Sequence, residues 1–114
     1  MCMNSVSSCI FCKIINRQIE ADRIAETEDF LVIKDTSPKA PIHYLIIPKK
    51  HVADIQSLAI DDFVIGERIC ELAQQLHKRE KKDFRLVINS GAGAGQKVFH
   101  LHVHFLAGGF VDEF

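Results

Sequence analysis

Five short stretches alternate or concentrate apolar residues as β-strands do. Arg23–Glu26 and Phe30–Lys34 flank a turn at Glu28-Asp29, so the two runs predict a hairpin. Ile42–Ile47 is nearly continuous in apolar residues and is closed by Pro48, the pattern of a central strand covered on both faces. Arg85–Ile88 predicts a fourth strand. The fifth, Val98–Leu106, carries a histidine at every second position. A strand there would put His100, His102 and His104 on one face, about 6–7 Å apart. Val98 shares that parity, while Phe99, Leu101, Val103 and Phe105 face the other way. Ile65, Ile69, Leu72 and Leu76 recur at four-three-four spacing and predict one long amphipathic helix. Asp61 and Asp62 open it, and Lys78, Arg79, Lys81 and Lys82 close it, each group with the sign that the helix dipole favours. Cys9–Ile15 predicts a short helix with Ser8 as its cap. One long and one short helix with five strands predict an α+β fold built on a mainly antiparallel five-stranded sheet.

Composition narrows the function classes. A chain of 114 residues fits one domain, taken as 9–114 behind a flexible 1–8 segment. It is large enough to bury about two-thirds of its unfolded surface without disulfides. A formal net charge of −1 points to neither a nucleic-acid polymer nor a membrane as partner. No apolar run approaches the roughly 18 residues of a membrane span. Met1–Ser8 has neither the basic start nor the apolar core of a secretory signal. The four cysteines, at 2, 9, 12 and 70, do not form a disulfide framework, and a reducing cytoplasm is the expected location.

The candidate chemistry lies in four places. Three histidines on one strand face can gather on one metal ion, or can divide the work, one attacking while the others handle charge and structure. Cys9-x-x-Cys12 is either a pair of ordinary buried thiols or half of a tetrahedral zinc site, for which His51 and one strand histidine are plausible further donors. Asn89–Lys97 is a glycine-rich loop leading directly into the histidine run. It is neither a P-loop nor a dinucleotide fingerprint, and reads as an anion cradle or as a connector. Asp35 enters a proline-rich loop, either to accept ribose hydroxyls or to form an Asx turn. His43 and His77 read as structural, and Lys49 and Lys50 as an exposed pair at a strand end.

The run His100-Leu101-His102-Val103-His104-Phe105-Leu106 resembles the signature of the histidine triad (HIT) family. Cys9–Ile15, Ile46–His51 and Asn89 extend the resemblance over nearly the whole chain, in the expected order. Asn89 is similar to the Hint branch, where dinucleoside-polyphosphate hydrolases of the Fhit branch usually have Gln. The cysteine pair is similar to its zinc-binding bacterial members. The resemblance implies that His102 attacks the α-phosphorus of a nucleotide to form a nucleotidyl-histidine that water then hydrolyses, with His104 on the phosphate. It implies Asp35 on the ribose with Thr36 beside it, and Ile10, Phe11, Ile14 and Ile33 around the base. Asn89, Gly95, Gln96 and Val98 would surround the phosphate. Cys9, Cys12, His51 and His100 match a structural zinc site. The usual assembly is a homodimer with one continuous sheet. The implied substrate is a purine nucleotide, best a purine nucleoside 5′-phosphoramidate. The alternatives are a dinucleoside polyphosphate, or nucleotide binding with little turnover.

Two departures stand out. Lys97 occupies a position where the Hint branch usually has Ser or Thr near the leaving group, and is expected to add positive charge beside the α-phosphate. The tail Gly108–Phe114 lacks the Trp-Pro-Pro-Gly ending of many relatives.

Overall fold

The computed structural model describes residues 5–109. The expectations for Cys2, for positions 1–4 of the N-terminal segment and for the tail from Phe110 lie outside the described residues.

The chain runs α1 (Ile10–Ile15), β1 (Arg23–Glu26), β2 (Phe30–Lys34), β3 (Ile42–Pro48), α2 (Val64–Glu80), β4 (Phe84–Val87) and β5 (Val103–Ala107). Short 3₁₀ turns lie at Ile55–Ser57, Ile60–Asp62 and Ala92–Ala94. The sheet has the order β1-β2-β3-β5-β4, with every neighbouring pair antiparallel. The α+β architecture read from the pattern is the architecture observed.

The middle strands are buried on both sides because they are apolar on both sides. Phe30, Val32, Tyr44 and Ile46 pack toward α2 with Ile65, Ile69, Leu72 and Leu76. Leu31, Ile33, Leu45 and Ile47 pack toward α1 with Phe11, Ile14 and Ile15. Leu31, Val32, Ile46 and Ile47 are fully sealed, each worth roughly 1.5–3 kcal/mol of apolar burial. A lone hairpin would not hold; two covered faces make this sheet stable.

Several boundaries differ from the sequence reading. α1 is capped by Cys9, not Ser8: the Cys9 Sγ accepts from the Cys12 N–H at 3.3 Å. The long helix starts at Val64, because Asp61 and Asp62 belong to the preceding 3₁₀ turn. There Asp62 accepts from the Ala59 N–H and from Lys50 Nζ instead of the first helical turn. β4 lies one residue earlier than predicted.

The largest difference concerns the histidine run. Only Val103–Ala107 is strand, so His100 and His102 precede the sheet and His104 alone lies within it. The ladder stops because its partners are diverted. Pro48 ends β3, its carbonyl accepts from the His100 ring at 2.7 Å, and the Leu101 N–H turns to Val52 O. The two-residue alternation survives this loss of pairing. Leu101, Val103 and Phe105 face α2, while His100 and His102 set ring edges against Phe11 of α1. Phe99 departs from the pattern and is 49% exposed.

Candidate functional site

Two clusters meet at the α1 face of the sheet, and His100 belongs to both. Its Nε2–H donates to the Pro48 carbonyl, so its Nδ1 carries the lone pair. That Nδ1 lies 3.4 Å from Cys9 Sγ, 3.6 Å from Cys12 Sγ and 3.1 Å from His51 Nδ1. Cys12 Sγ is 3.3 Å from His51 Nδ1. All four ligand atoms lie within 4.8 Å of one another.

Each element supplies its ligand for a local reason. One helical turn separates Cys9 from Cys12. His51 follows the end of β3, and His100 is pinned by the carbonyl of that same strand end. Burial drives the His100 imidazole down to about 4 and depresses His51, so both rings stay neutral. Burial also pushes the Cys9 thiol up, and a bound cation would reverse that. A tetrahedral ion with bonds of about 2.3 Å to sulfur and 2.0–2.1 Å to nitrogen spaces its ligand atoms roughly 3.3–3.8 Å apart. The observed 3.1–3.6 Å separations fit a metal ion in donor type and in size.

The backbone of His100 orients the next histidine. His102 Nδ1–H donates to the His100 carbonyl at 2.8 Å. A carbonyl only accepts, so the lone pair of neutral His102 sits on Nε2. The ring is braced edge-on by Phe11, centroid to centroid 5.0 Å.

His104 is set by a chain of hydrogen bonds that starts at a main-chain amide. The Lys39 N–H donates to His43 Nδ1 at 3.0 Å. The proton of His43 is therefore on Nε2, which donates to His104 Nδ1 at 2.8 Å. This leaves His104 with its proton on Nε2. Asp35 Oδ2 lies 3.4 Å from His43 Nε2 and supports the same tautomer. Burial first, then the neighbouring histidines, hold His104 down to about 4, so it is a neutral donor at physiological pH. Burial likewise lowers His43. His43, read from sequence as structural, thus connects Asp35 to the triad. Its signal was a polar ring in an otherwise apolar core strand.

These groups open onto a pocket of about 340 Å³. Of the residues singled out from sequence, Asn89, Gly95, Gln96, Lys97, Val98, His102 and His104 line it. Lys39, His43, Val87 and Leu106 complete the wall. Asp35 stands behind His43, its Oδ1 accepting from the Ser37 N–H in an Asx turn. Phe11, Ile14 and Ile33 are packed in the α1-side core. Thr36 is exposed in the loop. Ile10, 45% exposed, borders a neighbouring depression that shares Lys97 and Val98 with the pocket.

The glycine-rich loop is more rigid than its composition implies. Ala94, Gly95 and Gln96 N–H groups are committed to the carbonyls of Gly91 and Ala92, so a cradle made of these amides is not what the structure holds. Gly91 and Gly95 adopt φ of 101° and 93°, which side chains beyond glycine rarely do. The Gln96 side chain is buried, accepts from Gly91 N–H, and donates to Ala53 O and Val98 O. It staples the loop to the chain after β3. Lys49 and Lys50 also differ from expectation: they pair with Glu26 and Asp62, whose carboxyls they hold below the usual range. His77 is exposed near the end of α2, as expected.

Residues 8–114 match the family model described as scavenger mRNA decapping enzyme C-term binding. The chain is 42% identical over 106 residues to a HIT-like protein of Chlamydia trachomatis, an alignment covering 91% of this chain and 96% of that one. Among solved structures, a histidine triad protein from Clostridium difficile superposes with a TM-score of 0.91 at 34% identity, covering 96% of this chain and 97% of that one. A HIT family hydrolase from Legionella pneumophila gives 0.86 at 38%, covering 92% and 96%.

Proposed function

The chain belongs to the histidine triad family, and from that premise we propose that it is a nucleotide hydrolase or transferase that works through a nucleotidyl-histidine on His102. The observation that carries this reading is the tautomer of His102, with Nδ1–H held by the His100 carbonyl and the Nε2 lone pair left for phosphorus. Attack by Nε2 on the α-phosphorus makes the ring cationic, and the His100 carbonyl stabilises it through the retained Nδ1–H. His104 Nε2–H donates to a phosphoryl oxygen as charge gathers there. Water then displaces His102 and releases the nucleoside monophosphate.

In this reading Asp35 and Thr36 hold the ribose. Ile10, Phe11, Ile14 and Ile33 form the side on which the base rests. Asn89 favours a purine nucleoside 5′-phosphoramidate over a dinucleoside polyphosphate. Cys9, Cys12, His51 and His100 would hold Zn²⁺ as a closed structural site, which supplies folding energy and no open coordination position. Two protomers would join with β4 at the junction, since β4 is a sheet edge and Leu86 on it is 37% exposed. The proposed location is the cytoplasm, where the thiols of Cys9 and Cys12 stay reduced.

The test is mass spectrometry of acid-quenched enzyme after mixing with adenosine 5′-phosphoramidate. The expected result is a nucleotidyl adduct on His102. Turnover that persists in His102→Ala would overturn the reading.

A further inference from the structure

Two lysines line the pocket, and no carboxylate among the described residues pairs with either. Lys39 comes from the loop between β2 and β3, Lys97 from the loop before the histidine run, and both line the same wall as His102 and His104. Among the described residues, no Asp or Glu lines that pocket. Neither ammonium is in an ion pair with a described residue, whereas Lys49 and Lys50 have Glu26 and Asp62. The nearby carboxylate, Asp35, is engaged by the Ser37 N–H and faces His43.

The α-phosphate of a nucleoside phosphoramidate carries one negative charge. His104 Nε2–H and the cationic ring formed on His102 already answer it. Two further cations exceed what that phosphate needs. A lysine ammonium also lacks an acceptor, so it cannot relay a proton as a hydroxyl can; it acts as a point charge. Resting on the reading of this pocket as the site of α-phosphate attack, we propose that Lys39 and Lys97 form a leaving-group subsite that selects departing groups bearing a negative charge.

The ligand chemistry is an amine that also carries a carboxylate or a phosphate. His102 Nε2 bonds to the α-phosphorus as the P–N bond to that amine breaks. The electron pair leaves with the amine nitrogen, which takes a proton from solvent. Water then cleaves the phosphorus–histidine bond, restoring the free ring and giving the monophosphate. The anionic group takes no part in bond making; it is held between the two lysines.

The experiment compares paired adenosine 5′-phosphoramidates whose amines carry or lack an anionic group: glycine against the near-isosteric glycinamide, and O-phosphoethanolamine against ethanolamine. Wild type is expected to favour the anionic member of each pair by about tenfold in kcat/KM, the size of two part-exposed ion pairs. The preference should shrink as salt rises. In Lys39→Glu/Lys97→Glu the ratio should invert; both positions are exposed, and circular dichroism checks the fold. The larger of the two preferences identifies carboxylate or phosphate as the preferred group. Equal kcat/KM within both pairs, or a ratio unchanged in the double variant, overturns the proposal. Absence of turnover with every compound would overturn the α-phosphate reading instead. Binding of the same pairs to His102→Ala then reads charge selection alone, and equal affinities there sink the subsite.

Discussion

At the scale of single residues, the site is a set of tautomers imposed by groups that have no choice. A main-chain N–H can only donate and a carbonyl can only accept, so the Lys39 amide and the His100 carbonyl dictate where the protons of His43, His104 and His102 reside. His102→Ala should therefore lower turnover by at least about a thousandfold while nucleotide affinity is largely kept, measured by steady-state kinetics beside calorimetry. His43→Ala removes the donor to His104 Nδ1, freeing the wrong tautomer of His104. The expected cost is about 10–100-fold in kcat with little change in KM, partly restored in His43→Gln, whose amide can donate again. The half-buried His104 ring also predicts an acid dependence. Its folded value of about 4 lies below the ordinary 6.5, so the unfolded chain takes up the proton first. Stability is full above 6.5 and falls as pH drops through the interval from 6.5 to about 4. Glu26 and Asp62 lose their lysine pairing only at lower pH, because their values are depressed from ordinary carboxylate ones. Melting curves between pH 7.5 and 4.5 should show a fall in Tm that is shallower in His104→Gln.

At the scale of elements, the strands and the long helix followed from side-chain period, whereas the loops did not. The stripe Ile65, Ile69, Leu72 and Leu76 had to meet an apolar surface, and it packs on the face that Val32, Ile46, Val103 and Phe105 present. Leu72→Ala is expected to destabilise by about 2–5 kcal/mol, read from denaturant midpoints. The glycine-rich segment is different. Its composition suggests backbone amides open to an anion, but the buried Gln96 side chain and the inward-turned amides make it a stapled wall. Gln96→Ala leaves Gly91 N–H, Ala53 O and Val98 O without this partner. The expectation is a loss of about 1–3 kcal/mol with a fall in kcat, since Lys97 and Val98 ride on the same loop. Non-local hydrogen bonds of this kind carry no periodic signal, so the sequence left the loop open between an anion cradle and a connector.

For the whole molecule, the four donors Cys9, Cys12, His51 and His100 tie α1, the end of β3 and the start of the histidine run into one knot. Metal content by elemental analysis should be one ion per chain and should vanish in Cys12→Ala. A strong chelator should lower Tm by about 5–10 °C, because metal binding is coupled to folding. Activity of the still-folded protein at low temperature should persist, since the His100 carbonyl that orients His102 belongs to a residue also pinned by its ring's hydrogen bond to the Pro48 carbonyl, which needs no ion.

The chain by itself determined the α+β class and the burial of the Ile42–Ile47 strand on both faces, because apolar period is a local property. It placed three histidines on one side through alternation alone, and that alternation outlasted the strand. Only the tertiary structure decided where the strand ends, since this depends on Pro48 and Val52 drawing hydrogen bonds away from the ladder. Only it joined His43 to His104, 61 positions apart, and brought Lys39 to the same wall as Lys97. The first contact arises from β3 and β5 lying side by side in the sheet and the second from two loops that border one pocket, a geometry that no spacing along the chain encodes.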